Sequence, residues 1–435
     1  MEPLPKKKLL LAGLTLFSMF FGAGNLIFPP FLGSGAGTNT WIAMLGFTIT
    51  AIGFPVLGVV AVALSGGMDK LAGYVHPKFA FIFTLLIYLS IGPCLAIPRT
   101  ASTSFEMAVA PFLRERMSES MAQFLYSIFF FFIAYLVALK PDQLTERLGK
   151  VLTPCLLTLI LILFAGCFFF PPGSYQAPTA AYEKTPLIKG FLDGYLTMDT
   201  IAALNFGIVI SINIKKMGIR DEDSIVRETI KAGVIAGGVL LLIYSALAHV
   251  GAVTGGRFGQ AENGAQTLNQ AVHYLFGNWG AGLLAAIFFI ACLNTCIGLI
   301  SCCSRYFTTI IPNVGYRGWA LLFALSSLAI SNVGLNQILE LSVPVLNAIY
   351  PVAIVLILLS FVFRNGREWR FVYVFTITFT GIISVSLSLE QAGVYWLKPV
   401  LSLFPFYAVH LGWVVPALFG TFLGTFICLV LKRDK

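Results

Sequence analysis

Charge is scarce in this sequence: Asp, Glu, Lys and Arg make up 11% of 435 residues, where a soluble domain carries about one quarter. The shortfall excludes an ordinary water-exposed domain. With 58% hydrophobic residues and a mean hydropathy of +0.87, the chain belongs in a bilayer. Lys and Arg outnumber Asp and Glu by 28 to 19, yet they stand in short loops between apolar runs, mostly on one side. That is a positive-inside pattern, so no nucleic-acid partner is expected. The eight cysteines all fall in apolar segments and none forms a C-x-x-C pair. They read as packing residues, and no transition metal or redox role is expected. His249, His273 and His410 are too scattered for a metal site, and no H-E-x-x-H or nucleophile–base arrangement points to an intramembrane hydrolase. No span carries the polar stripe of a channel. No loop is long enough for a soluble domain; the longest, 171–189 and 255–281, read as caps or gates.

What is present is a series of apolar runs separated by Gly, Pro and charge. They predict about twelve spans, near 9–31, 40–64, 79–105, 118–139, 148–170, 190–214, 231–254, 282–310, 317–333, 335–363, 370–389 and 405–431. The fold class is therefore an all-α integral membrane protein, a single transporter-sized domain over 1–435. An even number of spans with Lys6, Lys7 and Lys8 inside puts both termini in the cytoplasm. Those lysines, the apolar stretch after them and Gly22-Ala23-Gly24 also have the shape of a signal peptide, but the segment reads as a retained first span.

Two spans are interrupted. The first contains FFGAGNLIFPP, with two glycines, an asparagine and two prolines where an unpaired backbone group is most costly. The other, at 190–214, carries Gly190, Gly194 and Gly207, with Asp193 and Asp199 inside the apolar run. If the first ten spans form two halves of five, about 9–170 and 190–363, each break falls in the first helix of its half, and the halves run in opposite directions. Breaks at matching positions of inverted halves point to a secondary transporter's binding site. At Gly22, Ala23 and Gly24 a ligand can approach bare backbone, and the following half-helix turns its positive end toward a carboxylate. Carbonyls near Ser18 and Phe21 suit a small cation or an ammonium group. The competing reading is a kink under tight packing.

Asp199 lies about 13 Å into its span at the helical rise, near the midplane. It reads as a ligand or ion contact, as a cap on the half-helix beginning at Thr200, or both. Thr197 supplies a hydroxyl to the same break. Ala291, Asn294 and Thr295 share one helix face and suit either a hard cation or interhelical hydrogen bonds. Arg99 and Glu340, each near the outer end of its span, snorkel to the interface or pair as a gate.

The segments FSMFFGAGNLIFPP, IGPCLAIPRTASTSFE, GYLTMDTIAALNFGIVI and SVPVLNAIYPVAIV closely resemble the branched-chain amino acid:cation symporter family of bacteria, over essentially the whole chain. The family is similar in turn to the LeuT-type fold of five-plus-five inverted repeats with helices 1 and 6 broken. The resemblance implies uptake of leucine, isoleucine and valine across the cytoplasmic membrane, driven by Na+. It implies Asn25 and Thr197 as ligands of one sodium, and Ser18, Phe21, Ala291, Asn294 and Thr295 as a second site. Asn294 departs from the fold's usual hydroxyl residue there. Asp199 stands where sodium-coupled relatives carry a small polar residue, which leaves room for H+ coupling or ammonium contact. The expected substrate site is Gly22, Ala23 and Gly24 for the carboxylate, Asp199 for the ammonium group, and Ile91 and Leu95 for the side chain. The alternative is a proton-coupled symporter of another small neutral amino acid. Helices 11 and 12, near 370–431, lie outside the repeat and carry no assigned role.

Overall fold

The computed structural model describes residues 4–113, 118–139, 157–158, 160–219, 221–364 and 366–433. Its described residues form helices joined by turns and loops, without strands. The N-terminal half runs α1 (Lys6–Phe20), α2 (Ala23–Ala36), α3 (Thr40–Thr48), α4 (Phe54–Ser65), α5 (Met68–Gly73), α6 (Pro77–Leu89), α7 (Ala96–Ala108), α8 (Glu119–Ala138) and α9 (Ile160–Phe169). The remainder is α10 (Ala180–Glu183), α11 (Pro186–Asp193), α12 (Asp199–Lys216), α13 (Glu222–Phe258), α14 (Gly264–Ile310), α15 (Tyr316–Ser331), α16 (Leu335–Val362), α17 (Arg370–Gln391), α18 (Lys398–Leu401) and α19 (Val414–Arg433). Among the described residues, eight stretches are long and apolar enough to cross a membrane, or nine with the bent pair α11–α12. The expected fifth span, 148–170, lies partly outside the described residues.

The first break is at Phe21–Gly22, where the backbone turns extended (Gly22 φ −123°, ψ −169°). Pro29 and Pro30 do not take part in it: α2 runs through both to Ala36. The stretch 255–281, expected as a loop, is mostly helix, because α14 already starts at Gly264 and turns at Gly277 (φ 60°). Such a φ favours glycine.

Small residues let helices approach at backbone distance. A Cβ on Gly251 of α13 would lie 2.6 Å from Pro30 Cα, and one on Gly33 of α2 would lie 2.9 Å from the Ala252 nitrogen. The seam between α2 and α13 is thus set by glycines on both sides. Lys8 ties the start of α1 to the end of α12 by donating to the Met217 carbonyl at 3.1 Å, where a cation also meets the negative end of that helix.

Two π-helical turns re-aim backbone toward the centre. At Ile49–Gly53, between α3 and α4, the Thr50 carbonyl accepts from the Thr200 hydroxyl at 2.9 Å, and the Thr50 hydroxyl donates to Phe191 O at 2.7 Å. These bonds hold both arms of the second break. The other, Ser90–Cys94, contains Pro93 and non-helical Gly92 (φ −94°, ψ −127°). Such π-bulges concentrate at functional sites, and this one precedes the turn that carries Arg99. Outward faces are apolar: Leu242 is 74% and Phe422 73% exposed, a lipid-facing surface rather than a water-facing one.

Candidate functional site

The two breaks meet. At the second, α11 gives way to the 3-10 turn Gly194–Thr197, then Met198 adopts a left-handed backbone (φ 64°, ψ 9°), and α12 starts at Asp199 with a 49° change of direction. A left-handed non-glycine residue is strained, and such residues cluster where a fold holds a site. Asp199 is 3% exposed. Its carboxylate does not cap α12. It crosses to the first break, where Oδ2 accepts from Asn25 Nδ2 at 2.6 Å and from the Tyr244 hydroxyl at 3.3 Å.

Asn25 completes the junction. Its Oδ1 accepts from the Gly22 N–H at 3.2 Å, and its Nδ2 also contacts the Tyr244 hydroxyl. One side chain therefore satisfies a backbone donor freed by the first break and grips the carboxylate of the second. Thr197 donates to Gly194 O at 2.9 Å and accepts from the Asp199 N–H at 3.4 Å. The next donors of α2 have no partner inside the helix, as at any helix start.

Around this junction is a cavity of about 60 Å³. Gly22, Ala23, Gly24, Asn25, Thr197, Asp199, Ile91 and Thr295, all read from the sequence, line it together. Met19, Phe20, Ala96, Thr100, Met198, Ala202, Phe206 and Leu299 line it too, and apart from the Thr100 hydroxyl their side chains are apolar and give no local signal. Tyr244 is the other residue that sequence reasoning missed. It is an aromatic in an apolar run of α13, and only the hydroxyl's two partners reveal its role.

Other assignments separate. Leu95 is buried but lies outside the lining, following the π-helical turn with a non-helical backbone (φ −130°, ψ −59°). Ser18, Phe21, Ala291 and Asn294 also stand off the lining. Thr295 approaches the first break closely: a Cβ on Gly22 would lie 3.4 Å from its Oγ1. In the preceding residue of α14, Asn294 Oδ1 is buried with no hydrogen-bond partner, and the Thr295 hydroxyl donates to Ala291 O at 3.1 Å.

Arg99 and Glu340 form no ion pair among the described residues, and Arg99 does not snorkel to the interface. Arg99 turns inward and is 5% exposed. Its Nη1 donates to Leu196 O at 2.7 Å, and its guanidinium lies 5.3 Å from the Phe28 ring centre. The kink at Gly92–Pro93 and the missing Cβ of Gly24 make room for that path. Glu340 stays exposed on α16.

Tyr244→Phe tests the junction. The hydroxyl serves two buried groups, and leaving such groups short of a partner costs about 1–3 kcal/mol. Solute uptake is expected to fall by about tenfold, with the protein still monodisperse; unchanged uptake would remove the hydroxyl from the site.

Two broken helices joined at a buried carboxylate, inside a bundle of apolar helices, are the architecture of a membrane transporter. The same fold is found in solved structures of Mhp1, a nucleobase-cation-symport-1 family transporter. In a closed conformation with bromovinylhydantoin bound, the TM-score is 0.62 at 10% identity, covering 97% of this chain and 92% of that one. The inward-facing conformation gives 0.59 at 11% identity.

The particular family follows from sequence. Residues 5–431 match the model described as branched-chain amino acid transport protein, and the chain belongs to that family. It is 42% identical to branched-chain amino acid permease BraB of Bacillus subtilis, over 99% of this chain and 98% of that protein. It is 40% identical to permease BrnQ of the same organism, over 96% of each. Identity is also 40% to the branched-chain amino acid transport system 2 carrier protein of Pseudomonas aeruginosa, over 94% of this chain and 93% of that one.

Proposed function

We propose that this protein imports leucine, isoleucine and valine across a bacterial cytoplasmic membrane, with both termini cytoplasmic, in symport with Na+. The observation that carries the proposal is the direct hydrogen bond from Asn25 to Asp199 across the two breaks. A solute bound there touches both broken helices, so its arrival biases their relative position, as alternating access requires. The α-ammonium group lies toward Asp199 and the carboxylate toward the open amides at Ala23 and Gly24. The branched side chain faces Phe20, Ile91, Ala202 and Phe206. Apolar walls separate one methylene by about 1–3 kcal/mol, so discrimination among the three substrates is weak.

Na+ is a second cargo in this reading. Hard cations take oxygen ligands, and two clusters fit. Asn25 and Thr197 offer oxygens beside the substrate. The unpartnered Asn294 Oδ1 and the Thr295 hydroxyl, with carbonyls near Ser18 and Phe21 and the helix face at Ala291, form the other.

The test is leucine uptake into proteoliposomes under an inward Na+ gradient or an inward H+ gradient, at fixed membrane potential. Accumulation is expected with Na+ alone. In Asn294→Ala, whose unpartnered oxygen stands off the cavity lining, the Na+ concentration for half-maximal uptake rises by about tenfold, the worth of one hydrogen-bonding group, while the leucine KM at saturating Na+ is unchanged. Accumulation driven by H+ alone would overturn Na+ coupling. The second reading, a proton-coupled symporter of another small neutral amino acid, draws on one observation: a buried carboxylate, Asp199, stands at the junction without an ion-pair partner among the described residues. Failure of leucine to compete would favour it.

A further inference from the structure

Arg99 is the buried charge that the ion-coupling scheme leaves unused. A guanidinium carries five N–H donors, and long charged side chains are almost never fully buried unless paired. Arg99 is 5% exposed, yet its described contacts are one hydrogen bond, to the Leu196 carbonyl, and the face of Phe28. The ion pairs among the described residues lie elsewhere, at Lys189–Asp193 and around Glu228. A strap for one carbonyl needs neither a full charge nor a planar fork.

Its placement supplies the rest. Arg99 and Asp199 line the same cavity, and they do not close into an ion pair. A Cβ on Gly24 would lie 2.7 Å from Arg99 Nη2. That nitrogen therefore stands at the start of α2, beside the amides that have no helical partner and at the positive end of the helix dipole. Two positive features converge on one wall, and a carboxylate with its other oxygen committed to Asn25 and Tyr244 stands on another. This is the charge pattern of a zwitterion's receptor, cation for carboxylate and anion for ammonium.

We propose that Arg99 binds the α-carboxylate of the transported amino acid, with Nη1 holding the Leu196 carbonyl and the remaining donors turned to the substrate. The proposal rests on the amino-acid transport reading and adds the residue that selects for the carboxylate. Bidentate arginine–carboxylate contacts are strong and directional, and the guanidinium bridges α7, the second break and the start of α2. The solute's carboxylate then reports its presence to three helices at once.

The experiment measures inhibition of radiolabelled isoleucine uptake in proteoliposomes by leucine and by leucinamide, which keeps the ammonium group and loses the carboxylate charge. The wild-type protein is expected to prefer leucine by about 30-fold or more, the effect of removing one partner of a buried charged pair. Arg99→Gln is expected to bring the two inhibitors within about threefold, mainly by weakening leucine. Arg99→Lys keeps part of the preference, because the charge remains and the fork is lost. A purely structural strap weakens both inhibitors equally, so an unchanged preference in Arg99→Gln overturns the proposal. If Arg99→Gln does not fold, Arg99→Lys decides: loss of the planar fork lowers the preference if the guanidinium holds the carboxylate, whereas an unchanged preference overturns it. Wild-type inhibition by leucinamide as strong as that by leucine also overturns it, with the transport reading intact. No inhibition by leucine at all removes both.

Discussion

Asp199→Asn abolishes leucine accumulation, with kcat/KM down by about 10²-fold or more, the consequence of leaving a buried charge without its partner. The substitution preserves shape and changes only charge and one pair of donors. In the native junction Asp199 Oδ2 accepts from Asn25 and Tyr244; an amide nitrogen turned toward them would meet donors, and an amide oxygen would meet them without charge. Two measurements separate what the carboxylate does. Ion-driven accumulation reports coupling, whereas leucine–leucine exchange across an equilibrated membrane reports substrate binding alone. Loss of both supports the ammonium contact. Exchange that persists while accumulation disappears makes Asp199 the coupling group, and Na+ symport falls. Near-native uptake removes Asp199 from the site altogether.

Gly251→Val is expected to prevent recovery of folded protein. The new Cβ would lie 2.6 Å from both Cα and C of Pro30, and backbone atoms in mid-helix cannot step aside as a flexible side-chain end can. Overpacking at such a contact costs about 3 kcal/mol or more. It would also separate α2 from α13, and with them Asn25 from Tyr244. Gly238→Val is the control on the same helix, since a Cβ at Gly238 meets nothing within 4 Å. Size-exclusion chromatography in detergent reads the result: a monodisperse peak for Gly238→Val and its loss for Gly251→Val. Equal recovery of the two variants would mean that the glycine seam does not set the position of the broken helix.

Much of the site was legible before any coordinates. Gly22, Asn25, Thr197 and Asp199 stood out because hydrocarbon tolerates few polar or helix-breaking residues, so each one in an apolar run carries information. The same rule marked Asn294 and Thr295. It also misleads: Pro29 and Pro30 share a stretch with the break but lie within α2, whose helix continues through both to Ala36. Leu95 shares a span with Ile91, but only Ile91 reaches the cavity, because Leu95 follows the π-helical turn at Ser90–Cys94 with a non-helical backbone.

The sequence alone determined that this chain lives in a membrane, that two of its helices are broken, and within a few residues where, because hydropathy and breaker residues act locally. It also determined the family, through motifs dense enough to be read directly. Only the tertiary structure decided which polar groups meet. A charged residue near the end of a span has the same local pattern whether it snorkels outward or turns in, so the separation of Arg99 from Glu340 depended on a kink, an absent Cβ and the approach of another helix. Tyr244 was hidden for the same reason. Its ring suits any apolar run, and its hydroxyl gains meaning from Asn25 and Asp199, contacts that 219 and 45 residues of chain separation keep out of reach of any local reading.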